Sequence, residues 1–168
     1  VYVPYRPLSE LTGAKVVGID TSKTEFKVDA KELEKLITPK TKAIILCYPN
    51  NPTGITMDYE DLKAVAEVVK KHEIWVITDE IYSELTYVGE HHSIASFEGM
   101  KERTIYLNGF SKAFAMTGWR IGYICGPKEL IQQMVKIHQY TTLCAPIISQ
   151  YGAIEALKTC IPDMLNMR

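Results

Sequence analysis

The chain has 168 residues, 46% of them hydrophobic and 23% charged, which predicts one globular domain and excludes an intrinsically disordered protein. The formal net charge is -1, so neither nucleic acid nor an anionic membrane surface is expected as a partner. No apolar run approaches the roughly 18 residues of a membrane span and no leader peptide opens the chain, so we expect a cytoplasmic protein.

The first predicted elements are a strand over residues 14–20 and a short helix after it. Asp29 is placed to cap this helix, with Glu32 three residues later completing a capping box, and Pro39 closes it. The apolar face of the helix consists of Leu33, Leu36 and Ile37.

The middle of the chain alternates between apolar strands and a helix. The continuous apolar run of residues 43–47 is typical of a strand buried on both faces, and the Pro and Gly content of residues 48–54 predicts a loop. A helix is predicted from Asp58 to about His72, followed by a second buried strand over residues 74–78.

The remaining elements are two strands, at 104–107 and 121–125, and two helices, at about 128–140 and 147–158. Strands alternating with amphipathic helices predict an α/β domain, with helices on both faces of a mostly parallel sheet.

Ligands of such sheets bind beyond the carboxyl ends of the strands, where the segments after three predicted strands should share a crevice. These segments carry Asn51, Asp79, Tyr82, Ser111 and Lys112.

Each candidate residue also has an ordinary structural interpretation. Asn51 is suited to a turn, Asp79 to a helix N-cap, and Tyr82 to packing with a satisfied hydroxyl. Lys112 is either a surface lysine or, if removed from water, a nucleophile or base. Arg120 is either part of an ion pair or a bidentate clamp for a phosphate or carboxylate.

Three motifs at these positions resemble those of one family. They are Tyr48–Gly54, Asp79–Tyr82 and Ser111–Gly122. In their order and separation they resemble the class I and II aminotransferases, pyridoxal-phosphate enzymes of fold type I, and the likeness extends from about residue 4 to residue 157. The motif style is similar to that of aspartate aminotransferases.

The resemblance implies a role for each matching residue. Lys112 matches the lysine that forms a Schiff base with pyridoxal 5'-phosphate, and Asp79 the carboxylate that pairs with the pyridine nitrogen. Tyr82 and Asn51 match the groups that hydrogen-bond the phenolic oxygen, and Arg120 the arginine that binds the phosphate.

The sequence departs from the family pattern in one motif. Many relatives have a hydroxyl residue three positions before the lysine, where this chain has Gly109. Ser111, next to the lysine, is the residue that would compensate by binding phosphate.

The resemblance further implies that residues 1–168 are a fragment of the large, cofactor-binding domain. The family's phosphate loop, its ring-stacking aromatic and its small domain are expected outside this stretch. The family works as a homodimer, and we expect the isolated segment to bind cofactor poorly and to have little activity.

The implied reaction moves an amino group between an L-amino acid (aspartate, alanine or aromatic) and a 2-oxo acid in amino acid metabolism, including biosynthesis. A carbon–sulfur β-lyase or related elimination enzyme with the same cofactor is an alternative. A truncated domain that binds cofactor or takes part in assembly without turnover is another.

Other classes fit the sequence poorly. A nicotinamide-dependent oxidoreductase would have a glycine-rich turn after its first strand, and adjacent Ser111 and Lys112 rarely face each other as a Ser–Lys hydrolase requires. His91 and His92 are interpreted as a solvated loop pair, and no metal site is predicted because neither they nor the dispersed cysteines form a ligand set.

Overall fold

The computed structural model describes residues 2–168, and a four-stranded sheet lies at its centre. The strands are β1 (Ala43–Cys47), β2 (Trp75–Asp79), β3 (Thr104–Gly109) and β4 (Gly122–Cys125), in that spatial order. β1, β2 and β3 are mutually parallel, and β4 runs antiparallel to β3. The prediction of an α/β fold with a mostly parallel sheet is confirmed.

Six α-helices accompany the sheet in the described chain. They are α1 (Tyr5–Leu11), α2 (Ala30–Leu36), α3 (Tyr59–His72), α4 (Lys128–Thr141), α5 (Ile147–Thr159) and α6 (Ile161–Met167). Short 3-10 turns cover residues 83–85, 94–96, 101–103 and 117–119. Across residues 2–168, none of the helices has the length and apolar character needed to cross a membrane.

Side-chain caps determine where α2 and α3 begin. The Asp58 side chain accepts a hydrogen bond from Asp61 N, and the Asp61 side chain accepts one from Asp58 N, forming a complete capping box. Asp29 caps α2 as predicted, by accepting from the backbone amides of residues 31 and 32. The predicted reciprocal bond from Glu32 is wrong, because that carboxylate pairs with Lys35 at 2.6 Å.

The main hydrophobic core lies between one face of the sheet and helices α2 and α3. Burial alternates along the strands: Ile44, Leu46 and Val76 are buried, whereas Ile45 and Ile77 are only half-buried. The prediction that these strands are buried on both faces is therefore wrong for the described chain. A second, smaller cluster joins α5 to the segment after β3 through Phe110, Met116, Ala153 and Ala156.

The predicted strand at residues 14–20 is also wrong. This segment has no regular secondary structure and is mostly exposed, and no strand in the described chain pairs with it. Its β-branched residues favour extended backbone, but a strand additionally needs a partner for its ladder. α1 is not among the elements predicted from the sequence, and none of its residues is buried in a core.

The strand register determines where the candidate site forms. Cys47 on β1 lies opposite Asp79 on β2, and Asp79 lies opposite Leu107 on β3. β1 and β2 thus end level, whereas β3 continues two residues further to Gly109. Because the three strands are parallel, the loops that follow them leave the sheet at the same edge.

Candidate active site

Three of the predicted site residues meet at this edge of the sheet. Asn51 Nδ2 donates a hydrogen bond to the Tyr82 hydroxyl at 3.2 Å, although 31 positions separate the two residues. Lys112 Nζ lies 5.7 Å from the centroid of the Tyr82 ring, within the range of a cation–π contact. Tyr82 therefore connects the loop after β1 with the loop after β3.

Asp79 ends β2 and is held by partners on both carboxylate oxygens. Oδ1 accepts a hydrogen bond from the Ile81 amide at 3.1 Å, and Oδ2 accepts one from the hydroxyl of Tyr5, which belongs to α1. Cys47 is its neighbour on β1. The carboxylate is thus oriented by its own turn and by a helix 74 positions away in sequence.

Burial and the nearby Asp79 carboxylate shift the pKa of two neighbouring groups, Tyr5 and Cys47. Burial raises the pKa of the Tyr5 hydroxyl above its usual value, and the hydrogen bond to Asp79 raises it further. Burial, followed by the charge of Asp79, also raises the pKa of the Cys47 thiol. Tyr5 therefore remains a hydrogen-bond donor, and Cys47 remains a thiol without nucleophilic character.

Hydrogen bonds within the segment fix the conformation of residues 111–120, which include Ser111, Lys112 and Arg120. Thr117 Oγ1 donates to the Ser111 carbonyl at 2.9 Å, and Arg120 Nη1 donates to the Thr117 carbonyl at 2.9 Å. Arg120 itself has left-handed backbone, with φ of 52°. From α5, Ser149 Oγ donates to the carbonyl of Trp119 at 2.6 Å and fastens the end of the segment.

Both cations of this segment lack an acidic partner in the part of the chain that the structure describes. Neither Lys112 nor Arg120 forms a salt bridge there. The ion-pair interpretation of Arg120 is therefore not supported within residues 2–168. An amine, a guanidinium, a carboxylate and an amide–hydroxyl pair make a donor and acceptor set that suits a ligand with an anionic group and a basic ring nitrogen.

Close packing explains why residue 109 is glycine. A Cβ on Gly109 would lie 3.0 Å from the Cα of Gly122, 3.1 Å from the Ile121 carbonyl oxygen and 3.2 Å from the Ile81 side chain. β3 and β4 approach so closely here that a serine or threonine would not fit without movement of the backbone. The close approach of the strand pair therefore disfavours the family's hydroxyl residue at this position.

Two residues beside the site, Tyr5 and Glu80, are not predicted from the sequence, and a third, His91, is predicted with a different role. Nothing in the sequence around Tyr5 signals its contact, because it depends on where α1 docks. Glu80 is buried at the end of a strand, and its carboxylate lies 2.6 Å from His91 Nε2. The interpretation of His91 as a solvated residue is therefore wrong. The signal that was overlooked is a second acidic residue directly after an apolar strand.

A family model and a curated relative both match this chain. The model for "Aminotransferase class I and II" matches residues 1–164. The probable N-acetyl-LL-diaminopimelate aminotransferase of Bacillus subtilis is 45% identical over 168 residues, which cover 100% of this chain and 42% of that protein.

Two solved structures share the fold. The aromatic aminotransferase from Pyrococcus horikoshii OT3 matches with a TM-score of 0.92 and 42% identity, over 98% of this chain and 46% of that one. A double mutant of Thermus thermophilus aspartate aminotransferase matches with a TM-score of 0.93 and 38% identity, over 99% and 44%. The chain thus spans less than half the length of the relatives it matches. It belongs to the class I and II aminotransferases, an enzyme family whose members depend on pyridoxal phosphate.

Proposed function

We propose that the whole protein is a pyridoxal-phosphate-dependent aminotransferase that moves an amino group between an L-amino acid and a 2-oxo acid. Family membership supports the reaction class. The observation that carries the proposal is the convergence of Asn51 and Lys112 on Tyr82, which lies three positions after Asp79 in the turn that follows β2. The relatives named above act on aspartate, aromatic or acyl-diaminopimelate substrates, and we propose aspartate, alanine or an aromatic amino acid as the donor.

Each candidate residue is assigned to one part of the cofactor. Lys112 would hold the cofactor through its amine, and Asp79 would pair with the pyridine nitrogen. Asn51 and Tyr82 donate to the phenolic oxygen, while Ser111 and Arg120 bind the phosphate. When bound, pyridoxal phosphate draws electrons away from the substrate carbon that carries the amino group.

The protein's own groups control protons around this chemistry. The Asp79 carboxylate holds a proton on the ring nitrogen through a charge-assisted hydrogen bond. The Tyr82 hydroxyl and the Asn51 amide stabilise negative charge on the phenolic oxygen. The free amine of Lys112 would act as the base that takes a proton from the substrate α-carbon and as the acid that returns a proton during transfer of the amino group.

We also propose that residues 1–168 belong to the large, cofactor-binding domain of the whole protein and that this protein functions as a homodimer. Under this proposal the amino donor is selected by parts of the polypeptide outside residues 1–168. A carbon–sulfur β-lyase would use the same residues for an elimination reaction. The products distinguish this reaction from transamination. Transamination yields a 2-oxo acid and a new amino acid, whereas elimination releases ammonia and a thiol.

Borohydride trapping tests the proposal. The whole protein is incubated with pyridoxal phosphate, reduced and mapped by peptide mass spectrometry. We expect one stoichiometric adduct on Lys112, lost in Lys112→Ala and retained in Lys101→Ala, a control at an exposed lysine. Labelling scattered over several lysines, or labelling that persists in Lys112→Ala, would contradict the proposal.

A further inference from the structure

A buried carboxylate lies between two of the proposed cofactor-binding residues. Glu80 follows Asp79 directly, precedes Tyr82 by two positions and is only 2% exposed. It has no role in the chemistry derived above. A buried acidic side chain is costly unless its oxygens have partners, so its contacts indicate what it does.

Both carboxylate oxygens of Glu80 are satisfied by side chains. Oε1 accepts hydrogen bonds from Thr78 Oγ1 at 3.0 Å and from Ser93 Oγ at 2.8 Å. Oε2 accepts one from His91 Nε2 at 2.6 Å. Thr78 belongs to β2, whereas His91 and Ser93 follow an exposed turn at residues 87–90.

The backbone of Glu80 is held as well. Its amide donates to the Leu107 carbonyl on β3 at 3.0 Å, and its carbonyl accepts from the Ser83 amide at 2.9 Å. Ser93 Oγ in turn accepts from the Ala95 amide, at the start of the turn that buries Ile94 in the main core. Glu80 thus ties the turn that carries Asp79 and Tyr82 both to the sheet and to the core.

Ser93, Glu80 and His91 do not form a hydrolytic triad. The serine hydroxyl donates to the carboxylate, and the imidazole contacts the other oxygen of the same carboxylate. A nucleophilic serine would need the imidazole, and not the carboxylate, as its partner. The cluster therefore fastens the turn.

We propose that Glu80 is a positioning residue, which together with His91 and Ser93 holds the Asp79–Tyr82 turn in the geometry that binds the cofactor. This inference rests on the proposed function. The Asp79 carboxylate and the Tyr82 hydroxyl lie on either side of Glu80 in the sequence. They reach the cofactor atoms that they bind only if the backbone between them is fixed.

The test uses the whole protein with Glu80→Ala, Glu80→Gln and the control Glu84→Gln, which changes an exposed carboxylate four positions away. Glu80→Ala is expected to raise the Kd for pyridoxal phosphate about 10- to 100-fold, the usual effect of losing an orienting partner. It is also expected to speed amide hydrogen exchange at residues 81–85 of the cofactor-free protein. Glu80→Gln keeps an acceptor oxygen for Thr78 and Ser93 and should recover most of both properties.

A spectral readout separates positioning from general destabilisation. Glu80→Ala should shift the pH at which the visible band of the bound cofactor changes, because Asp79 and Tyr82 contact the cofactor under the proposed function. Val69→Ala removes core volume on α3, far from this turn in sequence, and should lower stability without that shift. A Glu80→Ala protein with the exchange, Kd and spectrum of wild type would overturn the inference.

Milder variants apply if Glu80→Ala does not fold. Ser93→Ala and His91→Gln each remove one contact, and each should give a smaller rise in Kd and faster exchange at residues 81–85; wild-type values in both would overturn the inference. If the wild-type protein does not bind pyridoxal phosphate, the proposed function fails, while hydrogen exchange still decides whether Glu80 holds the turn.

Discussion

Tyr5 is the residue whose contact with the candidate site depends most on distant parts of the chain. Its hydroxyl donates to Asp79, and its ring packs edge-on against Tyr2 at 5.7 Å between centroids. A hydrogen bond to a charged group contributes more than one between neutral groups, which makes Tyr5 a strong determinant of how the carboxylate is oriented.

Tyr5→Phe removes this hydrogen bond and keeps the ring. We expect the variant to bind pyridoxal phosphate about 10-fold more weakly, in line with a loss of about 1.5 kcal/mol for a hydrogen bond to a charged group. Fluorescence titration of the whole protein measures the change. Tyr2→Phe is the matched control, because Tyr2 is exposed and does not contact Asp79 among the described bonds. Equal affinity in both variants would show that the Tyr5 hydroxyl does not matter.

At the scale of elements, the β3–β4 pair determines how the Lys112 segment leaves the sheet. Gly109 and Gly122 are register partners at the end of this antiparallel pair, and the two backbones are in contact there. The segment with Ser111 and Lys112 begins immediately afterwards. A larger residue at position 109 is therefore expected to disturb the strand pairing just before the segment that carries the lysine.

Gly109→Ser should destabilise the protein by about 1–3 kcal/mol, the usual cost of forcing atoms into a packed site. The added Cβ would meet backbone atoms, which cannot move aside as a flexible side chain would. Gly118→Ala is the control, since nothing lies within 4 Å of the Cβ it would introduce. Chemical denaturation of both variants measures the difference. A Gly109→Ser protein as stable as the control would contradict the packing argument.

The capping box of α3 has a pH-dependent part. The Asp61 amide, followed by the Lys27 ammonium, holds the pKa of the Asp58 carboxyl below its usual value. Because the folded-state pKa lies below that of the unfolded chain, about 3.9, the stabilisation is present above pH ~4 and is lost as the pH falls through the folded-state pKa.

Asp58→Asn keeps a capping side chain and removes only the charge. We expect the variant to be less stable than wild type at neutral pH and the gap to close under acid conditions, as wild-type Asp58 becomes protonated. Unfolding free energies measured by denaturant from pH 7 downward would show this. A gap that is the same at every pH would exclude a contribution from the charge.

At the scale of the whole molecule, the described chain has a buried apolar core on one side and many exposed apolar side chains on another. The core between the sheet and helices α2 and α3 is fully packed. In contrast, α5 is apolar around much of its circumference, which is typical of a helix with neighbours on several sides. Large apolar side chains are exposed on β4, α4 and α5, including Tyr123, Ile124, Val135, Ile137, Tyr140, Ile148, Tyr151 and Leu157.

Residues 1–168 produced by themselves should therefore self-associate, because large apolar side chains exposed in this number favour association. The measurement is the weight-average mass by sedimentation as a function of protein concentration. Replacing Ile137, Ile148 and Tyr151 with lysine should shift the distribution toward monomer. A chain that is monomeric at all concentrations without these changes would contradict the expectation.

Most elements with strong periodicity were predicted correctly from the sequence, and those that depend on docking were not. The strands at 43–47 and 74–78 and the helix from Asp58 appear within a residue or two of their predicted bounds. The segment 14–20 failed as a strand because propensity is local, whereas a ladder needs a second strand. The roles assigned to the site residues stay predictions until the trapping experiment is done.

The sequence by itself determined the family and the α/β alternation, because short motifs and apolar spacing are local properties of the chain. It also named Asn51, Tyr82 and Lys112, which the parallel strands bring to one edge of the sheet. Only the tertiary structure decided that Tyr5 contacts Asp79, that Glu80 is buried against His91 and Ser93, and that a side chain at position 109 would press against backbone atoms. Those features arise from contacts between segments far apart in the chain or from the close approach of two backbones, and neither leaves a periodic pattern in the sequence.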